Sequence, residues 1–268
     1  MSSSPKRIQG LFLVLDRRVD EGLENWRNEL LKRDMPAVIL LDDYTIEHNA
    51  ALVQRISRHH FDIGCCYNES PFWDTDYVTQ NEIMSRISET YRACTQSPLR
   101  LFASKFFAYT EDTLKLADKL GIQYIPARGT QGVKSVVYQP EEYTVKIISV
   151  SNVPSKKMGT GSLCDISLWS RTETPQSFRD ILEHIHEGKI VLVAQTNLSG
   201  VKLNWWNVYQ DYFESDRVDW QTIDEFTTDT MVLPVKKIPV NTSVDYRNPQ
   251  PLVPLEHEPD LPHEGGKT

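Results

Sequence analysis

Two adjacent cysteines, Cys65 and Cys66, stand where the apolar run FDIGCC gives way to the polar YNES (residues 61–70). A thiolate is both a nucleophile and a zinc ligand. Nucleophilic use needs a neighbouring His or cation to lower the thiol pKa. Arg17 could supply that charge, Asp16 would oppose it, and no His presents itself as the base. A metal site would draw on Asp16, Cys65, Cys66, Asp42 and Asp43, and thiolate suits zinc, although Arg17 would put a cation beside the ion. The plainer reading is structural: alternate strand residues face opposite sides, and a free cysteine behaves as a small apolar side chain.

Other residue groups divide in the same way. His59-His60 could ligate a metal, or simply end a helix where cations are favoured. The glycine-rich residues 159–162 could cradle phosphate or form a flexible loop. Phe72-Trp73, Phe106-Phe107 and Trp205-Trp206 could stack on sugar rings or on a partner's side chains, or could plug a pocket.

The elements that must position these residues alternate in type. LFLVL (11–15), AVILL (37–41), FDIGCC (61–66), LRLFA (99–103), IQYI (122–125), VKIISV (145–150) and KIVLVAQT (189–196) read as buried strands. Between them, Leu23, Trp26 and Leu30 recur at helical spacing, as do Ile83, Met84, Ile87 and Tyr91, and Phe178, Ile181, Leu182 and Ile185. Thr79 and Glu82 have capping-box spacing, Gly121 supplies a helix stop, and Thr174-Pro175 reads as a cap with proline at the first helical position. Strand–helix alternation means an α/β fold of parallel strands with helices outside, and such folds gather function at the carboxyl ends of the strands. No Gly-x-Gly-x-x-Gly follows the first strand, which weakens the dinucleotide-binding option. A net charge of −8 argues against nucleic-acid partners, and no apolar run reaches the length of a membrane span. The start shows no secretion signal, so a soluble cytoplasmic protein with free thiols is expected. Residues 1–231 are expected to form one domain and the proline-rich 232–268 an extended or disordered tail that could carry a protein partner.

Several segments then fall into a familiar order. VLDRR (14–18), PAVILLDDY (36–44), HFDIGCCYNES (60–70), FASKFF (102–107), TEDTLKLADKLGIQYI (110–125), DISLW (165–169), IVLVAQTN (190–197) and WQTIDEF (220–226) follow one another along the chain. In this order they resemble the polysaccharide deacetylases, the NodB-homology proteins of carbohydrate esterase family 4. The resemblance implies a deformed (β/α) barrel of about seven parallel strands and a hydrolase that uses a divalent metal on an Asp and two His.

Carried across by position, the resemblance puts Asp16 at the base and Arg17 at the metal-binding Asp. Cys66 and Ser70 fall on the two metal-binding His, Ala103 on the Arg that orients the base, and Ala194 or Gln195 on the acid His. Asp165 and Trp169 keep the family's residues. A cation at one ligand position and a serine at another do not hold zinc as the family does. The expectation is therefore a barrel without metal-dependent activity and with no cofactor, acting in glycan or other ligand binding or as a complex subunit. Its candidate residues are Asp16 as a vestigial base and Arg17, Cys66, Ser70, Lys105, Trp169 and Gln195 as a binding set. Cys66 is expected to face the former pocket and Cys65 to pack outward. The alternative is an active deacetylase or amide hydrolase with a rebuilt zinc site.

Overall fold

The computed structural model describes residues 7–128, 132–155 and 159–240. In chain order its strands are β1 (Ile8–Leu15), β2 (Val38–Asp42), β3 (Asp62–Tyr67), β4 (Phe102–Ser104), β5 (Tyr124–Arg128), β6 (Val137–Pro140), β7 (Lys146–Val150), β8 (Asn152–Pro154), β9 (Thr160–Ser162), β10 (Lys189–Gln195), β11 (Val218–Trp220) and β12 (Thr230–Leu233). The helices are α1 (Asp20–Arg33), α2 (Asp43–His48), α3 (Ala50–Ser57), α4 (Tyr77–Thr95), α5 (Glu111–Leu120), α6 (Asp165–Ser170), α7 (Pro175–Glu183), α8 (Leu203–Glu214) and α9 (Ile223–Phe226). None of these helices is long and apolar enough to cross a membrane.

Five strands run side by side and parallel in the order β10, β1, β2, β3, β4. One parallel bridge, Leu101 to Tyr124, carries the curl on to β5, which pairs in parallel with β7. The seam between β7 and β10 is closed by a loop. The Leu163 N–H donates to the Ser151 carbonyl at 2.7 Å, and the Leu163 carbonyl accepts from the Val193 N–H at 3.0 Å. These seven parallel strands form the deformed α/β barrel expected from the strand–helix alternation.

Two hydrophobic layers follow from the period of two. Leu11, Leu13, Leu15, Val38, Leu40, Cys66, Ala103, Val191 and Val193 fill the barrel, while Phe12, Val14, Ile39, Leu41, Cys65 and Leu192 face the helices. Cys66 thus points inward and Cys65 outward. The outer layer is dense in rings: Phe12, Trp26, Tyr209 and Phe213 meet at centroid separations of 5.1–6.3 Å. Trp205 is buried in that layer, and Trp206 meets Trp26 in a tilted contact at 4.5 Å, so this pair belongs to the helix packing and not to the barrel mouth. The first turn of α1 lies against the loop after β10. A Cβ on Gly22 would meet the Thr196 carbonyl oxygen at 2.1 Å, so only glycine permits that approach.

Capping follows the sequence at Thr174 and Thr110, each with a reciprocal side-chain box, and Gly121 ends α5 in the left-handed conformation. It differs at α4. Asp76 is the cap, accepting from the Thr79 N–H at 2.9 Å, so Thr79 lies inside the first turn. Ordered chain also continues past Val232: β12 pairs with β6, and Ile238 and Val240 are buried. The rest of the expected tail, residues 241–268, lies outside the described residues, as do 156–158 of the loop leading to Gly159.

Candidate functional site

The carboxyl ends of β1, β2, β3 and β10 meet at Arg17. Its backbone N–H donates to Thr196 Oγ1 at 2.9 Å, which fixes the turn as the chain leaves β1. Its guanidinium then reaches across the barrel mouth. Nε donates to Gln195 Oε1 at 2.9 Å, and Nη1 donates to the Asn68 side-chain oxygen, to the Asp16 carbonyl at 3.3 Å and to Cys66 Sγ at 3.8 Å. The acceptors are neutral amides, a carbonyl and a thiol. Gln195 turns its NH2 toward Cys164 Sγ at 3.8 Å, and Asn68 turns its own toward Asp42 Oδ2 at 2.7 Å. Both amides are thereby oriented with their oxygens toward Arg17.

Asp16 is fully buried and all its acceptor capacity is directed inward to the fold. Oδ2 accepts from Thr45 Oγ1 at 2.6 Å and the Asp42 N–H at 3.2 Å, and Oδ1 accepts from the Arg18 N–H at 3.0 Å. Burial pushes its carboxyl pKa up, against the lowering effect of these bonds. The position that resemblance assigns to a base is thus a splint joining β1, β2 and α2. Asp42 accepts from Arg18 Nε at 2.7 Å and caps α2 through the Tyr44 N–H at 2.9 Å. Asp43 is buried, and desolvation followed by the Asp42 charge raises its carboxyl pKa.

Cys66 is almost wholly enclosed, and burial pushes its thiol up while the Arg17 charge pulls the other way without prevailing. A thiol held protonated is a poor nucleophile and a poor metal ligand. Cys65, on the opposite face, is pushed well up by the same cause.

The seven residues named from the sequence do not all converge. Asp16, Arg17, Cys66 and Gln195 come together. Lys105 lies at the rim, donating to the Glu69 carbonyl at 3.3 Å. Ser70 is turned to the Tyr67 hydroxyl, away from the Arg17–Cys66 pair. Residues at i and i+4 share a face only while the chain keeps one regular period, and β3 ends at Tyr67. Cys66 lies in β3 and Pro71 precedes a single 3₁₀ turn at Phe72–Asp74, so Ser70 has no reason to face Cys66. Trp169 is exposed on α6. Asn68 and Thr196 were missed, yet Asn68 has the parity of Gly64 and Cys66 along β3, a readable signal. Asp165, retained from the family pattern, is buried and accepts from the N–H groups of Ile166 (2.7 Å), Gln195 (3.1 Å) and Ser199 (3.1 Å) and from the Ser199 hydroxyl. It pins the loop that carries Gln195 and Thr196. Phe107 sits in the barrel interior as a plug, and Phe72 and Trp73 are buried, whereas Phe106 is half exposed.

The donor set does not fit a zinc ion held as the resemblance implies. Among the described residues no three His, Cys, Asp or Glu side chains gather to hold a metal. A guanidinium lies against the thiol that would be one ligand, and the Asp16 carboxylate already accepts three hydrogen bonds from the fold.

No protein-family model matches the sequence, and no curated protein matches it. Solved structures do match. A protein from Mycobacterium smegmatis assigned as a polysaccharide deacetylase is 14% identical, with a TM-score of 0.63 over 84% of this chain and 91% of that one. A Bacillus anthracis protein described as a carbohydrate esterase family 4 pseudoenzyme is 15% identical, with a TM-score of 0.57 over 87% of this chain and 72% of that one. A mutant of that protein is described as having restored enzymatic activity. The allantoinase PuuE is 10% identical, with a TM-score of 0.63 over 82% and 89%. The fold is that of the polysaccharide deacetylases.

Proposed function

We propose that this chain is a deacetylase-fold protein that binds a ligand, a glycan in the first instance, at its barrel mouth without metal-dependent hydrolysis. The observation that carries the reading is the Arg17 guanidinium spanning the mouth between Gln195, Asn68 and Cys66. Hydrolysis of the family's kind needs a Lewis acid, a water-activating base and a proton donor. Here Asp16 has its oxygens committed to Thr45, Asp42 and Arg18, and neither Ala194 nor Gln195, the residues that the resemblance sets at the acid's position, has a side chain that titrates. The same barrel is found in a protein described as a pseudoenzyme, which makes the reading consistent with what this architecture can host.

What this chain's residues can do is hold and orient. Arg17 presents a positioned charge, the two amides keep it from swinging into solvent, and Phe106 and Trp169 offer exposed rings. The test is acetate release from acetylated chito- and xylo-oligosaccharides, with an active family member in the same assay. The reading predicts no release above the uncatalysed background. Release that an Arg17→Met substitution abolishes would establish a rebuilt hydrolase instead.

A further inference from the structure

The barrel interior changes character at its last layer. Alternation carries six strands from an apolar interior residue to one more side chain at the mouth: Leu15 to Arg17, Leu40 to Asp42, Cys66 to Asn68, Ala103 to Lys105, Pro126 to Arg128, and Val193 to Gln195. This ring holds three cations and one carboxylate. Asp42, the carboxylate, is taken by Arg18 at 2.7 Å. Among the described residues no carboxylate pairs with the three cations. Arg17 rests on two amides, Lys105 on the Glu69 carbonyl at 3.3 Å, and Arg128 on the Trp73 ring at 5.8 Å. Glu69 itself pairs with Arg18, and the Asp16 oxygens face Thr45 and backbone N–H groups. These three cations thus have no carboxylate partner among the described residues, in a chain of net charge −8.

One loop gathers this charge. Asn68 touches Arg17, Glu69 touches Lys105, and Trp73 lies against Arg128. Backbone strain collects at the same place: Arg18, Phe106 and Phe107 hold positive φ values of 59°, 61° and 55°, which side-chain-bearing residues adopt rarely. That conformation turns Phe107 into the barrel and leaves Phe106 half exposed beside the Lys105 ammonium, 5.7 Å from its ring centroid. Trp169 on α6 is a second exposed ring. A guanidinium held in place, as Arg17 is by Gln195 and Asn68, suits a carboxylate, and exposed rings suit the apolar face of a sugar.

We infer that the mouth recognises an acidic sugar, with the carboxylate of a uronic acid drawn by the charge of Arg17, Lys105 and Arg128 and the sugar ring against Phe106. This rests on the reading of the mouth as a non-hydrolytic binding site. Titration calorimetry on the full chain tests it with trigalacturonate, its methyl ester, and the sugar-free carboxylate tricarballylate. Trigalacturonate is expected to bind, to weaken as sodium chloride is raised, and to weaken at least tenfold in Arg17→Met and, separately, in Lys105→Met. Lys105 contacts only a carbonyl and a ring, so its replacement leaves the fold intact even if Arg17→Met does not fold. Lys119→Met, in the last turn of α5 at the opposite end of the barrel, is expected to bind as the unaltered chain does. Equal binding of the methyl ester would overturn the anionic assignment and leave a non-hydrolytic mouth standing. Equal binding of tricarballylate would overturn the sugar assignment. No binding of trigalacturonate at millimolar concentration would overturn the inference outright, whereas acetate release in the assay above would instead sink the reading on which it rests.

Discussion

Asp16→Asn separates a splint from a base. The carboxylate accepts three hydrogen bonds, from Thr45 Oγ1 at 2.6 Å, the Arg18 N–H at 3.0 Å and the Asp42 N–H at 3.2 Å. An asparagine has one acceptor oxygen and one NH2. Its better orientation keeps Thr45 and Asp42 on the oxygen and sets the NH2 against the Arg18 N–H, donor to donor. One bond to a charged group is lost, worth about 1.5–3 kcal/mol, and the other two weaken by about 0.5 kcal/mol each. Removing a buried charge offsets part of this, because burial already disfavours the ionised form. The net cost is about 2 kcal/mol, or a fall of about 4 °C in Tm for a chain of this size. The sign with pH also follows. Asp16 is held above its ordinary 3.8, so the folded state binds the proton more tightly than the unfolded one. Its contribution to stability is fully present below the unfolded pKa and lost as pH rises through the folded pKa. Asparagine does not titrate, so the gap between the two proteins widens as pH falls from neutral toward about 4. Thermal unfolding of both proteins across that range is the assay. A variant as stable as the parent or more so, as expected when a strained catalytic group is neutralised, would refute the splint.

Three further outcomes follow from the same geometry. Cys65, Cys66 and Cys164 are buried with their thiols pushed up, so a disulfide reagent should titrate at most Cys94 in the native protein and all four thiols in denaturant; rapid native labelling of Cys66 would contradict its enclosure. Gly22→Ala should cost about 2 kcal/mol, measured by urea unfolding, because its methyl meets the Thr196 carbonyl oxygen at 2.1 Å; a silent substitution would mean that α1 does not press on that loop. Asp165→Asn should cost about 3 kcal/mol, since it faces the N–H groups of Ile166, Gln195 and Ser199 with too few acceptors, and it should lower the midpoint of chemical unfolding without changing its slope.

Much of this was legible in the sequence, for local reasons. Apolar runs such as Leu11 to Leu15 are dictated by burial on both faces, so the barrel strands could be read directly. The opposite facing of Cys65 and Cys66 needs only the period of two. The same period, continued two residues past Cys66, would have found Asn68, whereas reading the fifth strand as ending at Ile125 hid Arg128, three residues further on. Ser70 was named by carrying the family's motif across in register, and it falls past the end of β3, where the strand's alternation no longer sets its direction. Trp205-Trp206 was misplaced because the partners of its rings, Phe178 and Trp26, are distant in sequence and only tertiary packing brings them together. The short strands β6, β8, β9 and β12 carry three or four residues each, too few for a periodicity to register, whereas VDW (218–220) reads as the short strand that β11 is. The others are set by their partners and not by their own composition.

The central claim is that a guanidinium stands where this fold's hydrolases are expected to seat a metal. Zinc content of the full chain, purified after growth in zinc-supplemented medium and dialysed without chelator, measures it directly. The account predicts far less than one equivalent, unchanged in Cys66→Ala. One equivalent of zinc that is lost in Cys66→Ala would contradict it.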